Sequence, residues 1–298
     1  MDWDKLRVFH AVAKAGSFTH AADMLNLSQS AVSRQISTLE SNLKCSLFHR
    51  HARGLIMTEQ GELLYNTATE IFGKLAMAEA KLADAKGQAE GRLRITASQS
   101  FGTLWLTPAL VEFVELYPAI NIDLILENRE LDLSMREADV AIRMSPPRQP
   151  ELVQRHLLSM HLNIYASQHY IRRFGTPRSI EDLDKHKIIA YGDEMQMGIQ
   201  NGNWLLNIGR SAGWSRRPVI AINSLYAILK GVEVGMGIAS MPEYMIQASP
   251  ELVRILPDLH GPKLDAYFVY PDELRQSKRI EVFRDFLLKK VSESVFAG

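Results

Sequence analysis

The sequence predicts a multi-domain chain: a small helical unit with a short β-hairpin, one long helix, and an α/β body. Three observations predict it. Residues 1–58 hold three short helical patterns separated by turn signals and followed by two strand-like runs. Residues 58–86 carry one proline-free helical pattern. From residue 91 onward strand-like and helical segments alternate, the order of a parallel sheet with helices on its faces.

The bulk numbers set limits. At 298 residues the chain exceeds one ordinary domain. Hydrophobic residues make up 46% and charged ones 23%, a globular balance with no low-complexity tract. Thirty-four basic and 34 acidic residues cancel, so any contact with a polyanion must come from local clustering. In residues 1–58 seven Lys/Arg stand against four Asp/Glu, with His10, His20, His49 and His51 in addition. The lone Cys45 excludes an intramolecular disulfide and a multi-cysteine metal site. The opening MDWDKLRVFH lacks the apolar core of a signal peptide, and no run reaches the roughly 18 apolar residues of a membrane span. The expectation is a cytoplasmic protein with no membrane partner.

The first helix is expected from Asp2, a plausible N-cap, to Gly16, with Leu6, Phe9, Val12 and Ala13 facing a small core. Thr19 is the expected cap of a second, HAADMLNL, whose Ala22 and Leu25 point inward. After the turn Asn26-Leu27-Ser28, Ser28 suits the start of a third. On that helix Val32, Ile36, Leu39 and Leu43 fall at i, i+4, i+7 and i+11, one buried stripe. The opposite side is then fixed: Ser30, Arg34, Ser37 and Ser41 lie near its centre, flanked by Ser33 and Thr38. A buried helix would carry more Leu, and a merely solvated one more Glu and Lys. These are short polar groups that can approach another surface closely.

CSLFHRHARGLIMT, residues 45–58, has strand-like residues on both sides of HARG and reads as a hairpin. Three helices and a hairpin make the winged helix-turn-helix plan, in which the last helix enters the DNA major groove. Gln can read adenine, Arg guanine, and Ser either base. Arg50 and Arg53, with His49 and His51, would lie beside phosphates or in the minor groove. A solvated face with a basic hairpin is the plainer alternative.

From Thr58 to about Lys86, Leu64, Ala68, Ile71, Leu75, Ala78, Leu82 and Ala85 alternate by four and three residues, a heptad seam. It is expected to join two copies of the chain, since its small Ala positions let a partner helix approach. Packing on the chain's own body is the alternative.

After KGQAEG (86–91) come LRITAS as a strand, TLWLTPALVEFVELY as a helix and INIDLIL as a second strand. LDLSMRE is expected as a short helix and ADVAIRM as a third strand. HLNIYAS, KIIAYG, VIAINS, GIASMP and DAYFVYP read as further strands. YIRRF, SLYAILKGVEVG and RIEVFRDFLLKKV read as helices, and TPRSIEDLDKH as a turn-rich connection.

The run FHAVAKAGSFTHAADMLNLSQSAVSRQISTLESNL, continued by LFHRHARGLIMTEQGELL, resembles the LysR-type transcriptional regulators almost position by position. IYASQHYIRRFGTPRSIEDLDKH and LKGVEVGMGIASMPEYM resemble the same family more weakly. The resemblance implies a DNA-binding domain at 1–58 and a dimerising linker at 59–89. It implies an effector domain of two Rossmann-like halves, 90–161 with 267–298, and 162–266. It also implies base reading by Gln29, Ser30, Ser33 and Arg34, with Ser37 on the same face, and a tetramer built from two dimers. RNA polymerase is a further partner candidate. Glu137-Ala138-Asp139 departs from the family's more usual Gly-containing turn.

In parallel α/β sheets a ligand sits beyond the carboxyl ends of the strands. Ser98, Ser100, Phe101 and Thr103 follow the first strand of the body, and Asn223-Ser224 precede a helix. These are effector candidates, with Asn128, Met144 and Tyr191 added because the resemblance places the cleft between the halves. Each Ser can equally be a plain helix cap, and Phe101 a core residue. The expected ligand is a small anionic or polar metabolite, with no cofactor, metal or catalytic residue: no GxGxxG, P-loop, GxSxG or HExxH occurs. Four functions compete. They are a ligand-controlled regulator, a solute-binding protein, an enzyme fused to a DNA-binding domain, and a constitutive regulator with a vestigial cleft. The first is the expectation. The missing export signal weighs against the second, the missing catalytic constellation against the third.

Overall fold

A computed structural model describes residues 2–51, 54–84, 88–134, 136–146, 151–192, 199, 201–211, 213–247 and 249–294, leaving aside the side chains of 50, 51, 54, 76, 77 and 79–84. The chain divides into two compact units, Met1–Glu79 and Ala80–Gly298.

The first unit opens with α1 (Trp3–Ala15), α2 (Phe18–Leu25) and α3 (Gln29–Leu43). Asp2 caps α1 by accepting from the Asp4 N–H at 3.0 Å, and Gly16 ends it in the left-handed conformation. The cap of α2 is Ser17, two residues before the expected Thr19. Gly16 leaves Ser17 extended, so its hydroxyl reaches the His20 N–H at 3.5 Å and the helix begins at Phe18. Ser28 caps α3 as expected, at 3.2 Å from the Ala31 N–H. Val32, Ile36 and Leu39 are buried against Phe9, Val12, Ala21 and Ala22. Leu43 departs from the expected stripe. It is 36% exposed, because α3 ends there in a left-handed Lys44, and Leu47 and Phe48 close that side of the core instead.

β1 (Phe48–His51) and β2 (Gly54–Met57) form the expected antiparallel hairpin. α4 (Glu59–Asp84) follows, capped by Thr58, whose hydroxyl accepts from the Gly61 N–H at 3.0 Å. Its heptad stripe divides. Ala68 is fully buried and Leu64 packs beside it in the unit's own core, joined by Tyr65 and Phe72. Ile71 and Leu75 are 37% and 43% exposed, and Ala78 is exposed.

The second unit is built on a curled seven-stranded sheet. β3 (Gly91–Ala97) leads into one long helical run: α5 (Gln99–Phe101), a π-helical stretch Gly102–Leu106, and α6 (Thr107–Leu116). β4 (Ile120–Leu126) and β5 (Val140–Arg143) both pair in parallel with β3. Residues 131–137 form no short helix where they are described. Asp132 and Glu137 side chains accept from the Ser134 and Asp132 N–H groups, both at 2.8 Å, and Arg136 turns the chain at φ +58°. Such local side-chain bonds displace helical ones.

β6 (Leu152–Ser167) begins nine residues before the expected strand and threads both halves of the sheet. α7 (Gln168–Phe174), β7 (Ile189–Tyr191), α8 (Trp204–Asn207), β8 (Ile220–Ile222), α9 (Leu225–Glu233), β9 (Ala239–Pro242), β10 (Leu252–Ile255), β11 (Lys263–Pro271) and α10 (Lys278–Glu293) complete the unit. The first part of β6 pairs with β11. Its second part lies between β9 and β10, all antiparallel. β7 and β8 pair in parallel, and an Ile188–Ile238 bridge links them towards β9. β10 and α8 have no counterpart in the sequence reading.

Candidate functional site

Two surfaces carry the predicted site residues, one on each unit. On the first, Gln29, Ser30, Arg34, Ser37 and Ser41 are exposed along α3, and Ser33 is half-buried at the flank. The physical cause is the stripe beneath: with Val32, Ile36 and Leu39 fully buried, a 100° step per residue leaves this set on the far side. Ser30 is tied to Ser28 (Oγ to Oγ, 3.1 Å), and Thr38 donates to the Arg34 carbonyl at 2.8 Å. Among the described residues Arg34 makes no ion pair, so its five N–H donors remain available.

The wing is held to the same helix. Glu40 Oε1 accepts from the N–H groups of Leu47 and Phe48, while Thr58 donates to the Ser46 carbonyl at 2.7 Å. His49 is exposed on β1. Arg50 pairs through its backbone with Leu55, and its side chain, like the whole of Arg53, lies outside the described residues.

On the second unit a cleft collects Ser98, Gln99, Ser100, Asn128, Met144, Ile199, Leu225, Tyr226, Tyr244 and Leu264. Ser98, Asn128 and Met144 follow the carboxyl ends of β3, β4 and β5, which is where such sheets accept ligands. Asn128 fixes the loop by accepting from the Gln99 N–H at 3.1 Å. Across from them stand Leu225 and Tyr226 at the start of α9, and Tyr244 just after β9. Ser100 and Tyr244 meet, hydroxyl to hydroxyl, at 2.8 Å, and both are buried. Burial pushes the Tyr244 phenol well above its ordinary range, so it stays a neutral hydroxyl. The cavity left over is about 10 Å³, on the order of one water.

Of the sequence candidates, Ser98, Ser100, Asn128 and Met144 are brought together here. Phe101 is fully buried, stacked on Trp105 with ring centroids 4.9 Å apart, and does not line the cavity. Thr103 is exposed on the π-helical stretch, Asn223 is exposed, and Ser224 caps α9 through the Ala227 N–H at 3.4 Å. Tyr191 is buried. Its hydroxyl donates to the Ser240 carbonyl at 2.6 Å, and its backbone is bracketed by the Asn203 amide. Tyr244, Tyr226, Leu225, Ile199, Leu264 and Gln99 were missed. Leu225 and Tyr226 immediately follow the predicted Ser224, but nothing local marks Tyr244 or Leu264.

A wider groove of about 540 Å³ is lined by Asn201, Asn203, Trp204, Asn207, Ile208 and Pro262. A Ser–His–Asp cluster also occurs among the described residues. His156 Nε2 lies 2.9 Å from Ser159 Oγ and 3.3 Å from Asp265 Oδ1, and Ser159 donates directly to Asp265. Both contacts use one ring nitrogen, so the imidazole does not bridge acid and hydroxyl as a relay requires. Among the described residues no three His, Cys, Asp or Glu converge on a metal position.

Residues 3–62 match the family model of the bacterial regulatory helix-turn-helix protein, lysR family, and residues 86–292 match that of the LysR substrate binding domain. The chain belongs to the LysR family. It is a DNA-binding transcriptional regulator that joins a helix-turn-helix domain to a domain built to accept a small molecule. An HTH-type transcriptional regulator of Xanthomonas campestris is 30% identical over 98% of this chain and 86% of its own. CrgA of Neisseria meningitidis, described as a LysR-type transcriptional regulator, is a similar solved structure: 26% identity, TM-score 0.61, 98% of this chain and 99% of that one covered. The Vibrio cholerae virulence activator AphB is similar at 27% identity and a TM-score of 0.64, covering 97% and 99%. No helix among the described residues is long and apolar enough to cross a membrane.

Proposed function

We propose that this LysR-family regulator reads promoter DNA with the outward face of α3 and changes its grip when a small polar metabolite enters the cleft beside Ser100. Ser30, Ser33, Arg34 and Ser37, with Gln29 at the helix start, take the base edges. Arg50 and Arg53 take the backbone or minor groove. The observation that carries this reading is the orientation of α3: its aliphatic stripe is buried and its hydroxyls and guanidinium face out.

Two recognition helices are needed for a two-fold site. The exposed Ile71, Leu75 and Ala78, continued by Leu82, supply the dimer seam, and dimers pair into tetramers. The chain divides functionally into 1–58, a linker 59–89, and an effector domain of 90–161 with 267–298 and 162–266. It acts in the cytoplasm, performs no catalysis, takes no cofactor, and engages RNA polymerase at the promoter. Effector and DNA must alter each other's binding equally in free energy.

Mapping chromosomal binding sites with and without candidate metabolites tests both halves. The reading predicts discrete pseudo-palindromic sites whose occupancy or spacing moves with one metabolite. Uniform binding without preferred sites contradicts it. The small cavity gives the constitutive alternative one supporting observation, and sites indifferent to every metabolite would favour it.

A further inference from the structure

We propose that the effector is an uncharged molecule whose hydroxyl or amide takes over the hydrogen bond between Ser100 and Tyr244. The inference rests on the cleft being the effector site and says which chemistry it admits. Ser100 stands on the helical run after β3, and Tyr244 follows β9 on the opposite wall, so their 2.8 Å contact spans the cleft. The cavity beside it is about the size of one water, so a ligand must part these two hydroxyls to enter. Parting them leaves two buried polar groups in want of partners. A molecule that offers both a donor and an acceptor gives each hydroxyl a partner.

Charge is the second half of the argument. Among the described residues the cleft has ten that line it, and none of these is Lys, Arg, His, Asp or Glu. The basic residues closest in sequence are already committed. Arg129 pairs with Glu127 and Glu137. Arg143 donates to the Leu131 carbonyl and faces Glu130. Lys230 pairs with Glu233 at 2.7 Å, and Lys263, beside Leu264, with Asp265 at 3.2 Å. A carboxylate brought here would lose its water, and the Lys230 ammonium, 5.4 Å from the centre of the Tyr226 ring, is already offset by Glu233. The wall's own acid responds to that environment by holding its proton, since Tyr244 is pushed upward by burial. Met144, Leu225 and Leu264 add an apolar side, suited to a short hydrocarbon body.

The test uses the full chain with ¹³C-methyl methionine, reading the Met144 methyl at the cavity wall and assigning it with M144L. The probes are matched pairs: propionamide with propionate, and benzamide with benzoate. The amide of each pair is expected to move the Met144 signal at a concentration about tenfold or more below its carboxylate. Carboxylates that bind as well as the amides overturn the inference while leaving the cleft as the effector site. If no probe moves Met144, the cleft reading itself fails, and the inference with it. The S100A/Y244F double variant, which removes both partners, is expected to weaken amide binding by about tenfold, while S100A and Y244F, which each remove one partner together with the closing bond, are expected to act in the same direction. Amide affinity unchanged in the double variant overturns the replacement of the hydrogen bond, and single variants that act in opposite directions overturn it should the double variant fail to fold.

Discussion

Glu40 accepts the backbone N–H of Leu47 at 2.7 Å, which fastens α3 to the residue that leads into the first strand of the hairpin. The same carboxylate takes a longer bond from Phe48 at 3.4 Å. One carboxylate thus ties α3 to the start of the hairpin.

E40A should lower the stability of the N-terminal unit by about 1–3 kcal/mol, because two backbone donors lose a charged acceptor. Amide exchange at Leu47 and Phe48 should quicken first, and E40Q should recover part of the loss. Unchanged protection at both amides would sink the assignment. Gly61 belongs to the same lock. A Cβ there would collide with the Leu47 carbonyl oxygen, so G61A should also loosen the wing, read by the same two amides.

The division of the α4 stripe makes a second prediction. I71E and L75E should weaken self-association while leaving the N-terminal unit's unfolding transition in place, since both side chains are exposed. F72A should do the reverse, costing about 1–3 kcal/mol of stability, because its ring packs on Trp3 (centroids 4.9 Å apart) and His10 (5.1 Å). Sedimentation and denaturant titration separate the two effects. Loss of fold in L75E, or loss of association alone in F72A, contradicts the division.

His10 predicts a pH dependence. Burial, and then the neighbouring Lys14, hold its imidazole below the usual histidine value. Its ring stacks on Tyr65, and its Nε2 lies 3.1 Å from the Thr69 hydroxyl. The unfolded chain therefore binds the proton more readily than the folded one. The stabilisation is complete above the ordinary value of about 6.5 and is lost as pH falls through the lowered value. The N-terminal unit should soften as pH falls from about 6.5 towards that point, and H10Q should flatten the slope. A slope in H10Q equal to the parent's would assign the effect to other groups.

The Ser100–Tyr244 contact predicts coupling across the cleft. S100A and Y244F should each destabilise the second unit, and the double variant by less than the sum of the two, the mark of a shared bond. Additive losses would mean that the hydroxyls act separately.

The first unit was legible in the sequence because its signals are local. Asp2, Gly16 and Ser28 punctuate helices, and the spacing of Val32, Ile36 and Leu39 fixes a face without reference to anything distant. Where reading failed there, the cause was also local. Gly16 shifted the cap to Ser17, and the end of α3 left Leu43 outside the core. The cleft was only half legible. Ser98, Asn128 and Met144 follow strands whose ends could be predicted, but Tyr244 and Leu264 reach the site through the antiparallel return of β6, β9 and β11. Phe101 and Tyr191 show the converse: adjacency to a predicted strand end placed them near the site in sequence, while packing drew their rings into the core.

The central claim, that the outward face of α3 reads bases, is tested most directly by comparing binding across a randomised duplex library for the parent chain and R34A. The account predicts a loss of about 1–3 kcal/mol on preferred sites, with preference relaxed at one base pair per half-site and retained elsewhere. An R34A preference profile and affinity identical to the parent's would contradict it.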